Sequence, residues 1–417
     1  MSEWKEYKLG DIAEIVCGAT PSTQIPDYWK DEIKWVTAKD VSESNGYKIY
    51  ETERKISKLG FENCSTKMLP KNTTILIARG ATMGRCCMIA EKMALNQTCY
   101  ALIAKQDLIH SYYLFYLIKS LESHFNNISH GAIFNTVIGS SLKETSVYIP
   151  DIIEQKSIAS ILSSLDDKID LLHRQNQTLE VLAETLFRQW FVEEPEEGWE
   201  TGKLGDYVET TLGGEWGKER PEGDYQLQVQ CIRGTDIADL LTGIAERAPL
   251  RFIKQKKFES VEMKDGDLIM EISGGSDGQS TGRTIYINDD VKALFKYPLV
   301  FSNFCRLIRS KRQEYAYFLY SYIRHLYKQG DLFNLENGSS GIRNLDYKAL
   351  LFQLMFRFPD KKKIVKYDKE AEIYFSKVNK NKQQICTLTR LRDTLLPKLM
   401  SGEICIKDSE KLVEAAS

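Results

Sequence analysis

Apolar residues recur three and four positions apart along residues 150–192, which is the spacing of one side of a long helix. A helix of about 40 residues is roughly 60 Å long, far beyond an ordinary globular helix. One asparagine interrupts this seam, as is common in coiled coils. The seam positions are Leu162, Leu165, Ile169, Leu172, Asn176, Leu179, Ala183 and Leu186. The pattern predicts a coiled-coil helix that acts as a spacer.

The same kind of segment returns at residues 359–401, displaced by 209 positions without a gap. Its seam is weaker and also contains an asparagine. The matching positions are Ala371, Tyr374, Val378, Asn381, Ile385, Leu388, Arg392 and Leu395. A single seam helix would leave its apolar stripe in water, so we expect the two copies to pack on each other. The alternative is that each helix packs on its own globular domain.

The segments before the two helices share a W-x3-K-L-G-D opening, at Trp4 and at Trp199. The chain therefore has four parts, globular domain, helix, globular domain and helix, and we interpret it as a tandem duplication. Each globular domain is predicted to be α+β, because β-branched and aromatic runs with glycine turns precede an amphipathic helix. The predicted strand regions are 33–41, 73–90, 229–237 and 266–287, and the predicted helices are 110–125 and 312–330.

Two glycine-bearing loops in each domain are the predicted working edges, since binding residues concentrate on loops held by a rigid scaffold. One is a hairpin, at 78–85 and 274–283, and the other precedes the long helix, at 130–142 and 337–350. Arginine, lysine, amide and hydroxyl side chains in such positions can reach base edges and phosphates. The predicted DNA contacts are Lys39, Arg79, Thr82, Arg85 and Asn135 in the first domain, and Arg233, Gln279, Thr281, Arg283, Arg343 and Asn344 in the second.

Composition is that of a globular protein, with 417 residues, 42% hydrophobic residues and a formal net charge of −2. A net charge near zero says little about nucleic acid, because a basic face can be offset by acidic segments elsewhere. No apolar run is long enough to span a bilayer and the N-terminus has no signal-peptide core, so we expect a cytoplasmic protein. Nine cysteines without a C-x-x-C pair favour neither a disulfide framework nor a zinc site.

Known catalytic motifs are missing or misplaced. Residues 150–156 carry two carboxylates and a lysine, as metal-dependent nucleases do, but these lie in the first turn of a helix, where acidic residues are ordinary caps. The Gly217-Lys218 pair lacks the spacing and the hydroxyl of a phosphate-binding loop. No adenine-methyltransferase tetrapeptide, nucleophile elbow or histidine cluster is present. We predict no catalysis and no metal site in this chain.

Taken together, these motifs resemble the specificity subunit of type I restriction-modification systems. The resemblance rests on the two W-x3-K-L-G-D openings, GATPS at 18–22, IPDIIEQKSIASIL at 149–162 and RDTLLPKLMSGEI at 392–404. It implies two target-recognition domains that read the halves of a bipartite double-stranded DNA sequence. It also implies an antiparallel pair of spacer helices, related by a pseudo-twofold axis, that docks two methyltransferase subunits and, through them, restriction subunits.

On this reading the chain divides into 1–149 and 199–358 as recognition domains, 150–192 and 359–404 as spacer helices, 193–198 as a linker and 405–417 as a tail. S-adenosylmethionine, ATP and Mg²⁺ are expected on the partner subunits, and no cofactor is expected on this chain. The competing hypothesis is a coiled-coil scaffold that holds protein partners without reading DNA. A stand-alone DNA enzyme is disfavoured by the missing motifs.

Overall fold

The computed structural model describes residues 4–44, 46–129, 139–193, 198–245, 247–274, 279–338 and 342–416. The chain forms two compact units, and each of them contains a part of both long helices. Unit 1 comprises residues 1–171 and 387–417, and unit 2 comprises residues 172–386. The boundaries therefore cut across the two spacer helices that the sequence predicts.

Unit 1 is mixed α and β. Its strands are β1 (Lys5–Lys8), β2 (Ala13–Cys17), β3 (Ile33–Val36), β4 (Lys48–Ile49), β5 (Lys55–Ile56), β6 (Thr74–Ile77), β7 (Cys86–Ile89), β8 (Ala94–Leu95), β9 (Cys99–Ala104) and β10 (Ser146–Ile149). The helices that follow and intervene are α1 (Leu9–Ile12), α2 (Ala38–Glu43), α3 (Lys58–Glu62), α4 (Ser111–Ser120), α5 (Glu122–Ser129), α6 (Gly139–Glu144) and α7 (Ile152–Arg188), the last of which continues into unit 2.

Unit 2 repeats this plan. Its strands are β11 (Glu200–Gly202), β12 (Val208–Gly213), β13 (Leu227–Ile232), β14 (Leu250–Ile253), β15 (Leu268–Glu271), β16 (Ser273–Gly274), β17 (Thr284–Tyr286), β18 (Leu299–Phe301), β19 (Cys305–Ser310), β20 (Glu336–Asn337), β21 (Arg343–Leu345) and β22 (Phe356–Phe358). Its helices are α8 (Gly234–Thr242), α9 (Gln255–Val261), α10 (Asp289–Lys292), α11 (Ala316–Gln329), α12 (Tyr347–Phe352) and α13 (Lys361–Met400), which ends in unit 1 before α14 (Ile406–Ala416).

Strand order shows the duplication directly. Unit 1 has a sheet in the order β2-β9-β6-β7-β4, and unit 2 has the matching order β12-β19-β15-β17. A second sheet places a parallel neighbour and an antiparallel neighbour beside a central strand, as β5-β3-β8 in unit 1 and β14-β13-β18 in unit 2. The tandem repeat predicted from the two shared openings is therefore present as one fold built twice.

The long helices pair within each unit. In unit 2, the Asn381 side-chain amide donates to Asn176 Oδ1 at 2.8 Å, and further along α7 the ring of Phe187 contacts that of Tyr367, earlier in α13. The two helices thus run antiparallel there. In unit 1, Arg392 of α13 donates to Asp166 of α7 at 2.6 Å.

Most of the predicted seam is buried. Leu162, Leu165, Ile169, Leu172, Asn176, Val378, Ile385, Leu388 and Leu395 are each at most 7% exposed. Leu179 and Leu186 are half-buried, and Phe187, outside the predicted seam, is buried in the unit 2 core.

Side chains of the long helices also cap a helix of each globular part. In unit 1 the backbone N–H of His110, just before α4, donates to Gln155 of α7 at 2.9 Å. In unit 2 the N–H groups of Tyr317 and Phe318 donate to Asp368 of α13 at 2.8 and 3.1 Å. These bonds satisfy helix-start donors that have no intrahelical partner. Each globular part is therefore attached to its segment of long helix by polar contacts as well as by packing.

Asp151 also has a structural role. Its carboxylate accepts the N–H groups of Ile153 and Glu154, both at 2.9 Å, and so caps the start of α7. Asp360 accepts the N–H of Lys363 at the start of α13 in the same way. The Pro-Asp pairs that superficially resemble a nuclease motif are thus helix caps.

Two predicted strand regions are partly helical, which corrects the sequence interpretation. Residues 37–41 were expected to continue a strand, but Thr37 accepts from Asp40 N, and the capped chain enters α2. Residues 233–237 likewise begin α8, with Asp236 accepting the N–H of Arg233. The cap is reciprocal at Thr37 and Asp40, whereas at Arg233 only the Asp236 carboxylate accepts; in both places the cap favours a helix over further strand.

Candidate nucleic-acid interface

Unit 2 contains a cleft of about 820 Å³ at the ends of several strands. The parallel neighbours β13 and β18 both end there, and they are followed by Arg233 and by Ser302. Strand β15 ends at the same place with Glu271. Strand ends that meet at one edge are a common position for binding residues.

Arg283 lies in the wall of this cleft and is bound by a buried carboxylate. Its Nε donates to Glu271 Oε2 at 2.8 Å and its Nη2 donates to Glu271 Oε1 at 2.7 Å. The Arg283 side chain is 14% exposed and that of Glu271 is 2% exposed. Hydrogen bonding to Glu271 raises the pKa of Arg283, so the guanidinium remains charged. The two-pronged contact leaves the guanidinium little freedom to rotate.

Arg233 is held in a similar manner on another part of the wall. Its Nε and Nη2 donate to the carboxylate of Asp236 at 2.9 and 2.8 Å, and Nη2 also donates to the Arg247 carbonyl. The side chain is 40% exposed, so it faces solvent more than Arg283 does. Hydrogen bonding to Asp236 raises the pKa of Arg233.

The two loops predicted as working edges of the second domain come together through a short sheet. Strand β16 pairs with β21, which sets Ser273 opposite Asn344 and Gly274 opposite Arg343. The Ser273 hydroxyl donates to Asn344 Oδ1 at 2.5 Å. Arg343 and Asn344 therefore lie beside the cleft that Gln279, Arg233 and Arg283 line.

The sequence predicts that Thr281 lies at an exposed loop tip, and the structure corrects this prediction. It is completely buried, and its backbone N–H and its hydroxyl both donate to Glu336 Oε1. Arg343 forms an ion pair with the other oxygen of the same carboxylate at 3.5 Å. Thr281 and Glu336 thus hold the two loops of unit 2 against each other, and the Thr281 hydroxyl faces away from solvent.

Unit 1 contains backbone contacts equivalent to those around the cleft of unit 2. The N–H of Ile77 donates to the Arg85 carbonyl at 2.9 Å, as that of Glu271 does to Arg283. A Cβ on Gly18 would lie 2.2 Å from the Leu95 carbonyl oxygen, just as one on Gly214 would lie 2.1 Å from that of Phe301. Arg85 is therefore the counterpart of Arg283.

The side chains at these equivalent positions differ. The position of Glu271 is occupied in unit 1 by Ile77, which is fully buried and apolar. Arg85 is exposed, and its Nη1 donates to the Ser42 carbonyl at 3.3 Å. Among the described residues, no carboxylate lies within ion-pair distance of Arg85. The arginine at this position of the fold is therefore paired with a carboxylate in unit 2 and is not paired with one in the described part of unit 1.

The other predicted contacts of the first domain are dispersed around the same hairpin. Arg79 is exposed and Thr82 is half-buried in the turn between β6 and β7, where Gly80 and Gly84 have φ angles of +99° and +87°. Lys39 is exposed and forms an ion pair with Glu53 at 2.8 Å. Hydrogen bonding to Glu53 raises the pKa of Lys39. Asn135 lies outside the described residues.

Sequence reasoning missed two aromatic residues of the unit 2 cleft. Phe304 is 55% exposed in the short connection between β18 and β19, and Trp216 stacks against Arg251, whose guanidinium carbon lies 3.8 Å from the ring centroid. Phe304 stands in the apolar stretch 297–307, which reads as core. Only the break in that stretch at Ser302-Asn303, where the chain turns, could have indicated that Phe304 points outward.

Comparisons with known proteins give one consistent result. Residues 1–181 match the family model described as type I restriction modification DNA specificity domain. The type I restriction enzyme MjaIX specificity subunit of Methanocaldococcus jannaschii is 28% identical over 97% of this chain and 94% of its own length. The HindI specificity subunit of Haemophilus influenzae is 27% identical over 46% of this chain and 42% of its own length.

Solved structures show the same fold. The type I restriction-modification S subunit from M. genitalium matches with a TM-score of 0.59 at 15% sequence identity. The match covers 95% of this chain and 96% of that one. The likeness therefore extends over both units and both long helices.

Proposed function

Because the chain belongs to the family of type I restriction-modification DNA specificity subunits, we propose that its two units each read one half of a bipartite double-stranded DNA sequence. The proposal rests on one observation, which is that the two units share the same arrangement at the edge of their sheets. Both units place an arginine, Arg85 or Arg283, at the same position beside the ends of their strands. The different surroundings of the two arginines support half-sites of different sequence.

Arg79 and Arg85 are the proposed DNA contacts of unit 1. Both are exposed on the hairpin between β6 and β7, where positive charge can approach a phosphate backbone. Arg233, Gln279, Arg283, Arg343 and Asn344 are the proposed contacts of unit 2, because they gather in or beside one cleft. Lys39 is a weaker candidate, since Glu53 already neutralises its charge.

We further propose that the long helices dock two methyltransferase subunits, which in turn bind restriction subunits. Several apolar side chains of α7 and α13 point to solvent, and Ile153, Val181 and Ile373 are 75%, 55% and 66% exposed. The proposal rests on the similarity to the family, and these three exposed side chains are positions at which contact with a partner can be tested. S-adenosylmethionine, ATP and Mg²⁺ would then bind to the partners. This chain would provide the DNA sequence specificity without catalysing a reaction.

A cytoplasmic location follows from this role, because the DNA and the proposed partner subunits are there. The structure adds one finding on membranes. None of the helices within the described ranges has an apolar stretch long enough to cross a bilayer.

The test is co-expression of this chain with a type I methyltransferase subunit in a host that lacks adenine methylation, followed by single-molecule mapping of N6-methyladenine. The proposal predicts methylation at one split motif that vanishes when this chain is omitted. Methylation that does not depend on the chain would contradict it.

A scaffold that does not read DNA is distinguished by the salt dependence of binding. A DNA-reading complex should bind its mapped duplex with a log Kd that depends steeply on log salt, and more tightly than a scrambled duplex. Equal and weak binding to both duplexes would favour the scaffold.

A further inference from the structure

The cleft of unit 2 contains a buried carboxylate, Glu271, directed at an arginine, whereas the equivalent position of unit 1 is occupied by the apolar Ile77. Glu271 is 1% exposed, so burying it without a partner would be costly. Its two oxygens accept the Nε and Nη2 groups of Arg283. The structure shows no hydrogen bond from Arg283 Nη1 to any described residue, which leaves the end of the guanidinium for a ligand.

The surrounding backbone is adapted to this carboxylate. A Cβ on Gly234 would lie 2.7 Å from Glu271 Oε1, and one on Gly274, whose φ is +140°, would lie 3.0 Å from it. In unit 1 the helix after the equivalent strand begins with Ala38, beside a fold position occupied by Ile77. Glycine at 234 therefore accompanies the glutamate, whereas alanine accompanies the isoleucine. This difference within one chain indicates a built site rather than a chance ion pair.

The geometry points to a specific ligand group. A guanidinium held through Nε and Nη2 still offers N–H groups of Nη1 and Nη2 at its end. Guanine presents two acceptors, O6 and N7, on its major-groove edge, whereas adenine presents a donor beside N7. A guanidinium with little freedom to rotate distinguishes these two edges and is held away from the phosphates.

We propose that Arg283 reads a guanine in the half-site bound by unit 2 and that Glu271 is the positioning residue that directs it. The inference rests on the proposed function and deepens it. By contrast, Arg85 is exposed and not anchored by a carboxylate among the described residues, so it contacts phosphate. Corresponding arginines of the two units therefore have different roles.

Unit 2 offers a matched control. Arg309 donates through Nε and Nη2 to Asp267 at 2.8 and 2.6 Å, and Asp267 is 1% exposed. This pair has the geometry of the Arg283–Glu271 pair but is not part of the cleft lining. Arg309→Lys thus reproduces the loss of a buried two-pronged ion pair without touching the proposed reading site.

The experiment measures Kd of the assembled complex for its mapped target and for duplexes in which each base pair of the half-site assigned to unit 2 is changed singly. We expect Arg283→Lys to reduce discrimination at one G·C pair by about 5- to 150-fold and to leave the other pairs unchanged. Arg309→Lys should preserve every ratio. Unchanged ratios in Arg283→Lys, equal effects of both variants, or a half-site without a G·C pair would overturn the inference.

A second variant covers the case in which Arg283→Lys does not assemble. Glu271→Gln leaves one oxygen that can accept from the guanidinium. It also removes the negative charge that neutralises Arg283. We expect partial loss of discrimination at the same pair and a steeper salt slope, by about one phosphate contact. No change in either quantity would overturn the inference. A wild-type complex that shows no sequence preference at all would instead refute the proposed function.

Discussion

Asp368 should make the stability of unit 2 depend on pH. Its side chain is 6% exposed, and it accepts the backbone N–H groups of Tyr317 and Phe318 at the start of α11. Burial raises the pKa of Asp368 to about 7, although both N–H groups favour the charged form. The carboxyl therefore holds its proton in the folded protein at pH values where the unfolded chain has released it.

The magnitude follows from the difference between the two pKa values. An unfolded aspartate titrates near pH 4, so about three pKa units separate the states, which corresponds to at most about 4 kcal/mol. Between pH 4 and 7 the unfolded state binds fewer protons than the folded state, so the free energy of unfolding falls as pH rises. Above pH 7 both states are ionised and this contribution is constant.

Asp368→Asn removes the titration and keeps an oxygen that accepts both N–H groups. Native-state hydrogen exchange of α11, corrected for the intrinsic rate at each pH, measures the opening free energy there. Relative to the wild type, the variant should gain stability as pH rises from 5 to 7 and keep that gain at pH 8. Asp346→Asn is the control, because Asp346 caps α12 through one N–H bond and is half-buried. Parallel pH curves for wild type and Asp368→Asn would refute the reasoning.

Three further outcomes are expected. Asn176→Leu leaves the buried Asn381 amide with only its long 3.4 Å contact to Gln175 Oε1 and should cost about 1–3 kcal/mol, whereas Leu at both positions should recover most of this loss. Urea unfolding of all three proteins checks it, and equal stability of the single and double variants would contradict it. Arg392→Ala leaves the buried Asp166 with only its 4.0 Å ion pair to Lys119 and its hydrogen bond from Tyr116, and should cost at most about 3–5 kcal/mol. Asp393→Ala at an exposed partner should cost under about 1 kcal/mol; a thermal melt with similar losses for both would refute the assignment. Arg85→Ala should reduce the slope of log Kd against log salt by about 0.9 across all sequences, and a change confined to one base pair would assign it to base reading instead.

The features that the sequence predicts correctly are those with a local or periodic cause. The seam of α7 and α13 repeats over many turns, so its direction and extent are visible without knowledge of the partner. The shared openings at Trp4 and Trp199 reveal the duplication because both carry the same W-x3-K-L-G-D motif. The strands at 74–77 and 268–271 are short apolar runs bounded by turn residues, which is a local signal as well.

The features that were missed depend on contacts between distant positions. Thr281 stands in a polar, glycine-rich stretch that reads as an exposed turn, yet Glu336 buries it from another loop. Glu271 ends the strand LIME and looks like its solvent-facing residue; only the return of the chain at Arg283 makes it a buried anchor. Thr37 and Asp40 did carry a local capping signal, which the apolar run before them obscured.

The division of labour between the two units is the central claim. It is tested most directly by exchanging residues 1–149 for the corresponding domain of a second specificity subunit and mapping N6-methyladenine in cells that contain the partner methyltransferase. The account predicts a split motif in which one half changes, the other half stays, and the spacing between them is preserved. A motif that changes in both halves, or in neither, would contradict it.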